Sequence, residues 1–383
     1  MSSGLAASTA GEEPRQDSTG NLSDAGKRIA SKDKYVFLVA LISLVFFCLY
    51  KLIPSGAGTA KDQDMVRAAE IMACAIQALP GCILGKNTAI DPGTDINRTG
   101  LVGQESSPIT TSLGQLEAKR TTTNPNFAGL IASLLKQAGV KRGDAVAVGA
   151  SSSFPALAIA SASAVSALEA KLVTICSLGA SNWGATNPEF SLLEMLQCLH
   201  EKNVFDVRPI ALALGGDIDN GSDMSEEGRT LLTQKIRASG IYFLQEPDLR
   251  ANVQKRMRLY EESAAPARIK AFINIGGSWA NMGTDSSVLK VKPGLTQVAE
   301  IPPPGKRGVI HEMALRKIPV IHLLYVKGLV ERYGLPWDPV PLPRPGEGSL
   351  YIVSKKSVWP DLVLAGAYIA VMLAALAFFR CRF

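Results

Sequence analysis

Three consecutive serines are the first candidates for chemistry in this chain of 383 residues. They are Ser151, Ser152 and Ser153, and they end the loop GASSS that begins at Gly149. Pro155 follows, a residue favoured in the first turn of a helix. Unpaired N–H groups and the helix dipole attract anions at such a position. The loop therefore predicts a site for carboxylates or phosphates, although ordinary helix capping explains the same residues.

A serine nucleophile is the alternative use of this loop. Ser151 or Ser152 at a strand–turn–helix junction resembles the arrangement of α/β-hydrolases, but no glycine follows as G-x-S-x-G requires. The chain has three histidines, His200, His311 and His322. His322 lies in a predicted strand that ends at the same edge of the sheet. The catalytic candidates of an enzyme would therefore be Ser151, Ser152 and His322.

Small and polar residues also follow the other predicted strands, where open α/β sheets bind ligands. The candidate ligand-binding residues are Gly149, Ser151, Ser152, Ser153, Ser181, Asn182, Trp183, Asn187, Gly215, Gly216, Asn274, Gly276, Gly277 and Ser278. The acidic loop from Asp217 to Asp223 resembles a calcium loop in composition, but its spacing favours a solvated turn. The chain has no C-x-x-C motif, Walker loop or dinucleotide fingerprint. We therefore expect neither a metal nor a cofactor.

The segment 144–183 must position these residues. Residues 144–150 and 171–177 are apolar and predict strands, and the Ala-rich stretch 154–170 between them predicts a helix. Such a βαβ unit has parallel strands. Further predicted strands, which alternate with helices, lie at 208–214, 241–244, 270–275 and 319–324. This alternation predicts an α/β fold, a single Rossmann-like domain with a largely parallel sheet, over residues 56–335.

The end of the first predicted helix of this domain and the pairing of its cysteines are two further questions. The helical period of Lys61–Leu79 ends at Pro80, which predicts a helix stop there. In an oxidising compartment Cys74 and Cys82 could close a small loop around Pro80. The pairing of the outer cysteines, which are Cys74, Cys82, Cys176 and Cys198, stays open at this point.

Two apolar segments near the ends predict membrane anchors. Residues 35–53 and 358–379 are each close to the 20 or so apolar residues that span a bilayer. Basic residues precede the first and follow the second, so the positive-inside rule places both termini in the cytoplasm. The predicted order is a disordered cytoplasmic tail (1–34), a transmembrane helix (35–53), the extracytoplasmic domain (56–335), a Pro-rich tether (336–357), a transmembrane helix (358–379) and a cytoplasmic end (380–383). For a bacterium, this order predicts a location in the cytoplasmic membrane, with the domain on its outer side.

The composition fits a folded domain between apolar ends. Hydrophobic residues make up 47% of the chain, the mean hydropathy is +0.14 and the formal net charge is +6. A modest positive charge favours anionic partners in general, and we expect no nucleic acid.

Five stretches of the domain are distinctive: GASSSFPALAIA, SLGASNWGATNPEFSLLEML, INIGGSWANMG, IPVIHLL and RYGLPWDPVPLPRPGEG. They resemble the poly-γ-glutamate system protein family, and the resemblance covers about residues 60–350. Members of that family have an N-terminal membrane anchor and accompany the ATP-dependent ligase and the membrane subunit of the poly-γ-glutamate capsule machinery. The resemblance implies an accessory protein of capsule biosynthesis with those subunits as partners. It assigns no catalytic residues.

Three functions are compatible with the sequence. The first is an accessory component of poly-γ-glutamate synthesis, export or attachment, which binds the anionic γ-glutamyl polymer or partner subunits. Basic residues would help it, because the polymer is a string of carboxylates; they are Lys306, Arg307, Arg316 and Lys317. The second is a γ-glutamyl hydrolase or transferase with a serine nucleophile. The third is a purely structural subunit of a membrane complex. The first and third need no catalysis by this chain.

Overall fold

The computed structural model of the protein describes residues 19–52, 57–83, 90–356 and 359–380. The chain divides into two compact units. One contains the terminal segments, Met1–Thr59 and Ser354–Phe383, and the other is Ala60–Val353, which we call the central domain. The central domain is a mixed α/β structure with a largely parallel sheet, as predicted.

The elements are named in chain order. The strands are β1 (Ala57–Lys61), β2 (Thr110–Ser112), β3 (Ala145–Ser151), β4 (Lys171–Ser177), β5 (Ala180–Ser181), β6 (Ala211–Ala213), β7 (Tyr242–Phe243), β8 (Ile269–Ile275), β9 (Gly294–Thr296), β10 (Val320–Leu323) and β11 (Ile352–Lys356). The α-helices are α1 (Thr19–Leu52), α2 (Gln63–Ile83), α3 (Leu116–Thr122), α4 (Asn126–Gln137), α5 (Pro155–Ala167), α6 (Leu192–Glu201), α7 (Glu226–Ser239), α8 (Leu249–Ala264), α9 (Trp279–Met282), α10 (Val309–Leu315), α11 (Val326–Tyr333) and α12 (Trp359–Arg380). Short 3₁₀ helices lie at Ser286–Lys290, Pro304–Lys306 and Ser349–Tyr351.

The main sheet has the strand order β7-β6-β4-β3-β8-β10-β9. Its neighbouring strands are parallel except for β10 and β9. From β3 the chain moves outward through β4, β6 and β7, and then returns to the other side of β3 with β8 and β10. The strand order therefore reverses between β3 and β8. A reversal of this kind opens a crevice at the carboxyl ends of the strands.

The two faces of the sheet pack against separate layers of helices. Successive side chains of a strand point to opposite faces. Val146 and Val148 of β3 accordingly join the core that contains α2, α4 and α5, whereas Ala145 and Ala147 join the core that contains α8 and α10. Every residue of β3 is buried, as expected for a strand covered on both faces.

The predicted βαβ unit is confirmed. β3 and β4 pair in parallel from Ala145 opposite Lys171 to Ser151 opposite Ser177, and α5 connects them. All residues of α5 except Ser166 are buried, which its small alanine and serine side chains permit between the sheet and α2.

Helix α2 passes the predicted stop at Pro80 and ends at Ile83. Its residues Met72 and Leu79 are fully buried against the neighbouring helices, so tertiary packing outweighs the local effect of proline. By length and composition α2 could also cross a membrane, but its apolar face belongs to the core of the central domain.

The disulfide of the central domain joins Cys82 of α2 to Cys198 of α6. Their Cα atoms are 6.3 Å apart. Cys74 is a free, exposed thiol, so the alternative of a Cys74–Cys82 bridge is wrong. The observed bridge connects two helices that are 116 residues apart in the sequence, which no local pattern reveals.

The Pro-rich segment after α11 packs on the central domain. Asp338 forms an ion pair with Arg120 of α3. The side chain of Asn126 donates a hydrogen bond to the main-chain oxygen of Arg344 (3.1 Å) and accepts one from the N–H of Gly346 (3.1 Å). The segment was predicted to be a Pro-rich tether, but at Asp338, Arg344 and Gly346 it is held against the domain.

The terminal unit contains α1 and α12. Because α1 begins at Thr19, the second half of the tail predicted to be disordered is helical; residues 1–18 lie outside the described residues. The apolar part of α1, Val36–Leu52, has 17 described residues. In α12, Asp361–Phe378 is long and apolar enough to cross a membrane. The predicted cytoplasmic end at 381–383 lies outside the described residues.

Tyr368 of α12 links the two terminal helices. Its ring lies 5.2 Å from that of Phe46 in an edge-to-face arrangement, and its hydroxyl oxygen is 3.0 Å from the hydroxyl oxygen of Ser43. Both partners belong to α1, so the apolar helices pack as a pair.

Candidate functional site

A cavity of about 340 Å³ opens at the carboxyl edge of the main sheet, beside the reversal between β3 and β8. We call it the strand-edge cavity. The ends of β3, β4 and β8 bring Ser151, Ser177 and Gly277 to its wall. The segment from β2 to α3 and the start of α11 complete the lining. The cavity lies where the sequence analysis expects a ligand.

Lys119 of α3 lines this cavity and is almost fully buried, with 2% of its surface exposed. Its Nζ lies 2.7 Å from the Oγ of Ser181 and also donates a hydrogen bond to the main-chain oxygen of Ser153. The ring of Phe154 covers the amine, with Nζ 3.8 Å from the ring centroid. Within the described ranges no carboxylate forms an ion pair with Lys119, so all its contacts are neutral groups.

Burial lowers the pKa of the Lys119 amine to about 7. The charged form loses its hydration and gains no ion pair in return. The face of the Phe154 ring attracts an ammonium group and opposes this effect. Near neutral pH the amine therefore exists in both forms. It can hold an anion when protonated and accept a proton when neutral.

Ser181 is held by the short strand β5, which pairs in parallel with β2. Its N–H donates a hydrogen bond to the Oγ of Ser153 at 3.0 Å. Gly114 approaches so closely that a Cβ there would lie 3.2 Å from both the Cε of Lys119 and the Oγ of Ser181. The small sheet and this close glycine together hold the Ser181 hydroxyl against the Lys119 amine.

The serines at the strand ends have other partners. The Oγ of Ser151 accepts a hydrogen bond from the N–H of Ser153 at 3.2 Å. The Oγ of Ser177 donates to a carboxylate oxygen of Asp219 at 2.7 Å. Ser278 also lines the cavity, but its Oγ is buried and has no hydrogen-bond partner among the described residues.

A buried ion pair supports the wall at Ser177. Arg256 of α8 pairs with Asp219, and the two side chains are 1% and 0% exposed. Arg256 also donates to the Oδ1 of Asn252 (2.9 Å) and to the Oγ of Ser177 (3.3 Å). Asp219 belongs to the loop that was predicted to be a solvated turn. That prediction is wrong for Asp219, whose carboxylate fastens the loop to α8.

Asp217 and Asp223 form an exposed acidic rim of the cavity. The N–H of Asp217 donates to a carboxylate oxygen of Asp223 at 2.6 Å. Burial and the neighbouring Asp223 charge both raise the pKa of Asp217. In the described part of the chain, no three His, Cys, Asp or Glu side chains gather as metal ligands do. The charged groups that line the strand-edge cavity are thus the buried amine of Lys119, the two exposed carboxylates and the exposed amine of Lys327.

The predicted ligand-binding residues fall into three groups. Those that line the strand-edge cavity are Ser151, Ser153, Ser181, Gly216, Gly277 and Ser278. Those that line a second cavity, of about 310 Å³, are Trp183 and Asn187. Those that pack or form hydrogen bonds inside the domain are Gly149, Ser152, Asn182, Gly215, Asn274 and Gly276.

The structure does not bring His322 to the serines. His322 on β10 lies opposite Asn274 on β8, and β8 separates β10 from β3. Its Nδ1 is 3.0 Å from the Nδ2 of Asn274, and burial lowers its pKa to about 4. Ser151 lines the cavity, whereas the Oγ of Ser152 is buried without a partner among the described residues. Of the three catalytic candidates, only Ser151 lies at the cavity.

Sequence reasoning missed Lys119. Its helix lies in the polar sequence QLEAKRTTT, where a lysine is expected at the surface. No signal in the sequence marks it as buried. Conversely, the basic residues expected to attract the polymer do not line the strand-edge cavity. Arg307 and Arg316 form ion pairs with Glu312, and Lys317 lies at a separate depression next to the start of β10.

No protein-family model, curated protein or solved structure matches this chain. The geometry of the strand-edge cavity is therefore the basis on which its function can be inferred.

Proposed function

We propose that the protein is an accessory component of poly-γ-glutamate synthesis, export or attachment, and that its strand-edge cavity holds carboxylates of the γ-glutamyl polymer. Lys119 carries this proposal, because it is a buried amine with no ion pair among the described residues. A carboxylate in the cavity supplies the missing counter-charge. Ser278 also lines the cavity, and its hydroxyl, which has no partner among the described residues, becomes a donor to the carboxylate if its side chain rotates towards the ligand.

The size and charge of the cavity favour the end of the polymer as the bound part. At about 340 Å³ the cavity is at the small end of the range of roughly 300–1,000 Å³ that is usual for ligand sites. It has room for one or two residues of a chain. The first residue of a γ-linked chain carries an α-ammonium group beside its α-carboxylate. The acidic rim of Asp217 and Asp223 suits that ammonium, and Lys119 suits the carboxylate.

The proposal places the protein in the bacterial cytoplasmic membrane, with the central domain as a Rossmann-like module outside the cytoplasm. The exposed apolar surfaces of α1 and α12 support the membrane location. The Cys82–Cys198 bridge supports an oxidising compartment, where disulfides persist. The ligase and membrane subunits of the poly-γ-glutamate system are the proposed partners.

The first prediction is that the full-length protein in detergent micelles binds oligo-γ-glutamate in a manner that depends on pH and on Lys119. The bound carboxylate needs the ammonium form of Lys119, whose pKa is about 7. Affinity is therefore expected to be highest below pH 7 and to fall by about 30-fold from pH 6 to pH 8.5. Isothermal titration calorimetry across this range measures it. Raising the salt concentration should weaken binding, most strongly for polymer that extends into solvent.

The matched variants are Lys119→Met and Lys202→Met. Lys202 is exposed at the end of α6 and does not line the cavity. Lys119→Met is expected to lose binding and its pH dependence, while Lys202→Met keeps both. Equal binding by the two variants would refute the proposed role of the cavity.

A further inference from the structure

The strand-edge cavity also contains the two side chains that acyl transfer requires. We propose that Ser181 is a nucleophile and Lys119 its general base, so that the pair cleaves or transfers an acyl group held as an amide or ester. The inference rests on the proposed function only for the identity of that acyl group, a γ-glutamyl group. This pair differs from the one expected from the sequence, which is a nucleophile in the neighbouring serine loop with His322 as its base.

The geometry of the pair meets the main requirement for an activated serine. A nucleophile and its base must lie within hydrogen-bond distance, and the Oγ of Ser181 and the Nζ of Lys119 are 2.7 Å apart. When the amine is neutral, the same contact lets the hydroxyl donate to it. Lysine replaces histidine in known variants of the serine triad.

A third group orients the base, as the histidine of a triad is oriented by its carboxylate. The main-chain oxygen of Ser153 accepts one hydrogen bond from Lys119, and the ring of Phe154 covers the amine. The burial that keeps water from the amine also keeps its pKa near neutrality, where a general base works best.

The other serines of the cavity lack such a base. The hydroxyl of Ser151 accepts a main-chain N–H. That of Ser153 accepts the N–H of Ser181 and serves to position it. Ser177 donates to Asp219, but the ion pair with Arg256 makes this carboxylate a poor proton acceptor. Ser181 is therefore the hydroxyl that the structure equips for attack.

The reaction balances with water or an amine as the second substrate. The Oγ of Ser181 attacks the acyl carbon while its proton moves to the Nζ of Lys119. The bond from the acyl carbon to the leaving nitrogen breaks, and Lys119 returns the proton to that nitrogen. Water or an acceptor amine then attacks the ester on Ser181, Lys119 takes its proton, and that proton returns to the serine oxygen as the ester bond breaks.

Two probes test the pair in the full-length protein in detergent. A fluorophosphonate reacts covalently with activated serines, and peptide mapping by mass spectrometry locates the modified residue. γ-Glutamyl-4-nitroanilide reports cleavage of a γ-glutamyl amide by release of nitroaniline. We expect modification at Ser181, with a rate that rises with pH and levels off above about pH 7 as Lys119 becomes neutral. The other charged groups at the cavity are Asp217, Asp223 and Lys327, and Glu117 lies on the same helix as Lys119.

Variants separate catalysis from binding. Ser181→Ala should lose labelling at that position yet still bind oligo-γ-glutamate. Lys119→Arg keeps a positive charge but cannot act as a base, because arginine stays protonated. It should bind the oligomer while its labelling rate falls about 100-fold or more. Lys119→Met is the second base variant in case arginine does not fit. Ser133→Ala, on α4 outside the cavity, is the control and should react like the unaltered protein.

The outcomes distinguish this inference from the proposed function. Labelling at Ser181 without cleavage of the nitroanilide supports the dyad and counts against γ-glutamyl as its acyl group. If the folded protein binds the oligomer but is not labelled by the fluorophosphonate and does not cleave the nitroanilide, the dyad is overturned and the binding function stands. Labelling at a different serine, or a rate that Lys119→Met does not change, also overturns it.

Discussion

Two cations, Lys119 and Arg256, are buried within the same α/β domain, and they differ in what surrounds them. Arg256 is 1% exposed and pairs with the buried carboxylate of Asp219. Lys119 is 2% exposed, and its partners are a hydroxyl, a main-chain oxygen and an aromatic ring. Arg256 therefore has its counter-charge within the protein, whereas Lys119 has none among the described residues.

This difference in surroundings gives Arg256 a structural role and Lys119 a chemical one. The charge of Arg256 is stabilised by Asp219, and its pKa stays above the ordinary value. Such a pair fastens the loop after β6 to α8 and leaves nothing to titrate near neutral pH. Lys119 gains no such compensation, so its pKa falls to about 7. A group in this state can hold an anion when it is protonated and accept a proton when it is neutral, as perturbed ionisable groups at functional sites do.

The largest expected effect comes from breaking the pair. Arg256→Met leaves the Asp219 carboxylate buried without its partner, and removing one member of a buried pair costs about 3–5 kcal/mol of unfolding free energy. Denaturant unfolding of the full-length protein in detergent measures the loss. Arg316→Met, which removes an exposed arginine that pairs with Glu261 and Glu312, is the control and should cost less than about 1 kcal/mol.

The double variant Asp219→Asn with Arg256→Met sharpens this test. If the cost of Arg256→Met reflects an orphaned charge, neutralising Asp219 should recover much of it. A double variant as unstable as the single one would mean that packing of the long arginine side chain, and not its charge, supports the loop.

A smaller effect is expected for His322, which like Lys119 is buried without a counter-charge among the described residues. The pKa of His322 is about 4 in the folded protein, whereas its ordinary value is 6.5. Between pH 4 and pH 6.5 the unfolded chain therefore binds a proton that the folded protein does not bind. The contribution of His322 to the free energy of unfolding is therefore fully present above pH 6.5 and is lost as the pH falls towards 4. The loss is about 3 kcal/mol by linkage. Unfolding curves at pH 7 and pH 4 should differ less for His322→Gln. An equal difference in the unaltered protein and in His322→Gln would contradict the lowered pKa of His322.

The smallest of these effects on the free energy of unfolding concerns Lys119, and it occurs at higher pH. Its folded pKa of about 7 lies below the ordinary value of 10.5, so the unfolded chain binds more protons between them. The contribution to stability is therefore absent below pH 7 and grows as the pH rises. Between pH 7 and pH 9 the unaltered protein should gain about 2 kcal/mol relative to Lys119→Met. If both proteins have the same dependence on pH, Lys119 is charged and compensated, and the contrast with Arg256 disappears.

The parts of the fold that follow from neighbouring residues were predictable. The apolar pattern of β3 and β4 and the Ala-rich helix between them gave a βαβ unit whose observed bounds differ by a few residues from those predicted. Ser225 caps α7 by accepting a hydrogen bond from the N–H of Gly228, a local contact typical of serine at the start of a helix. Such features depend on period, length and capping, which are local properties of a chain.

The residues that line the strand-edge cavity were only partly predictable from the sequence. Ser151, Ser153 and Ser181 line the cavity because they end strands or follow them, and the carboxyl ends of parallel strands meet at one edge. Asp219, Cys82 and the Pro-rich segment were misjudged because their partners lie far away in the sequence. An ion pair to α8, a bridge to α6 and hydrogen bonds to α4 leave no trace in the residues beside them.

By itself the sequence determined an α/β domain with a largely parallel sheet, the serine-rich edge and the apolar helices near the two ends. The tertiary structure alone decided that Lys119 is buried. Its helix is polar, and its two hydrogen-bond partners lie 34 and 62 residues further along the chain. The pKa of an amine depends on the water and charges around it, and those are set by the elements that pack over it. An ordinary surface lysine by sequence thereby becomes, through packing alone, the group on which the proposed chemistry depends.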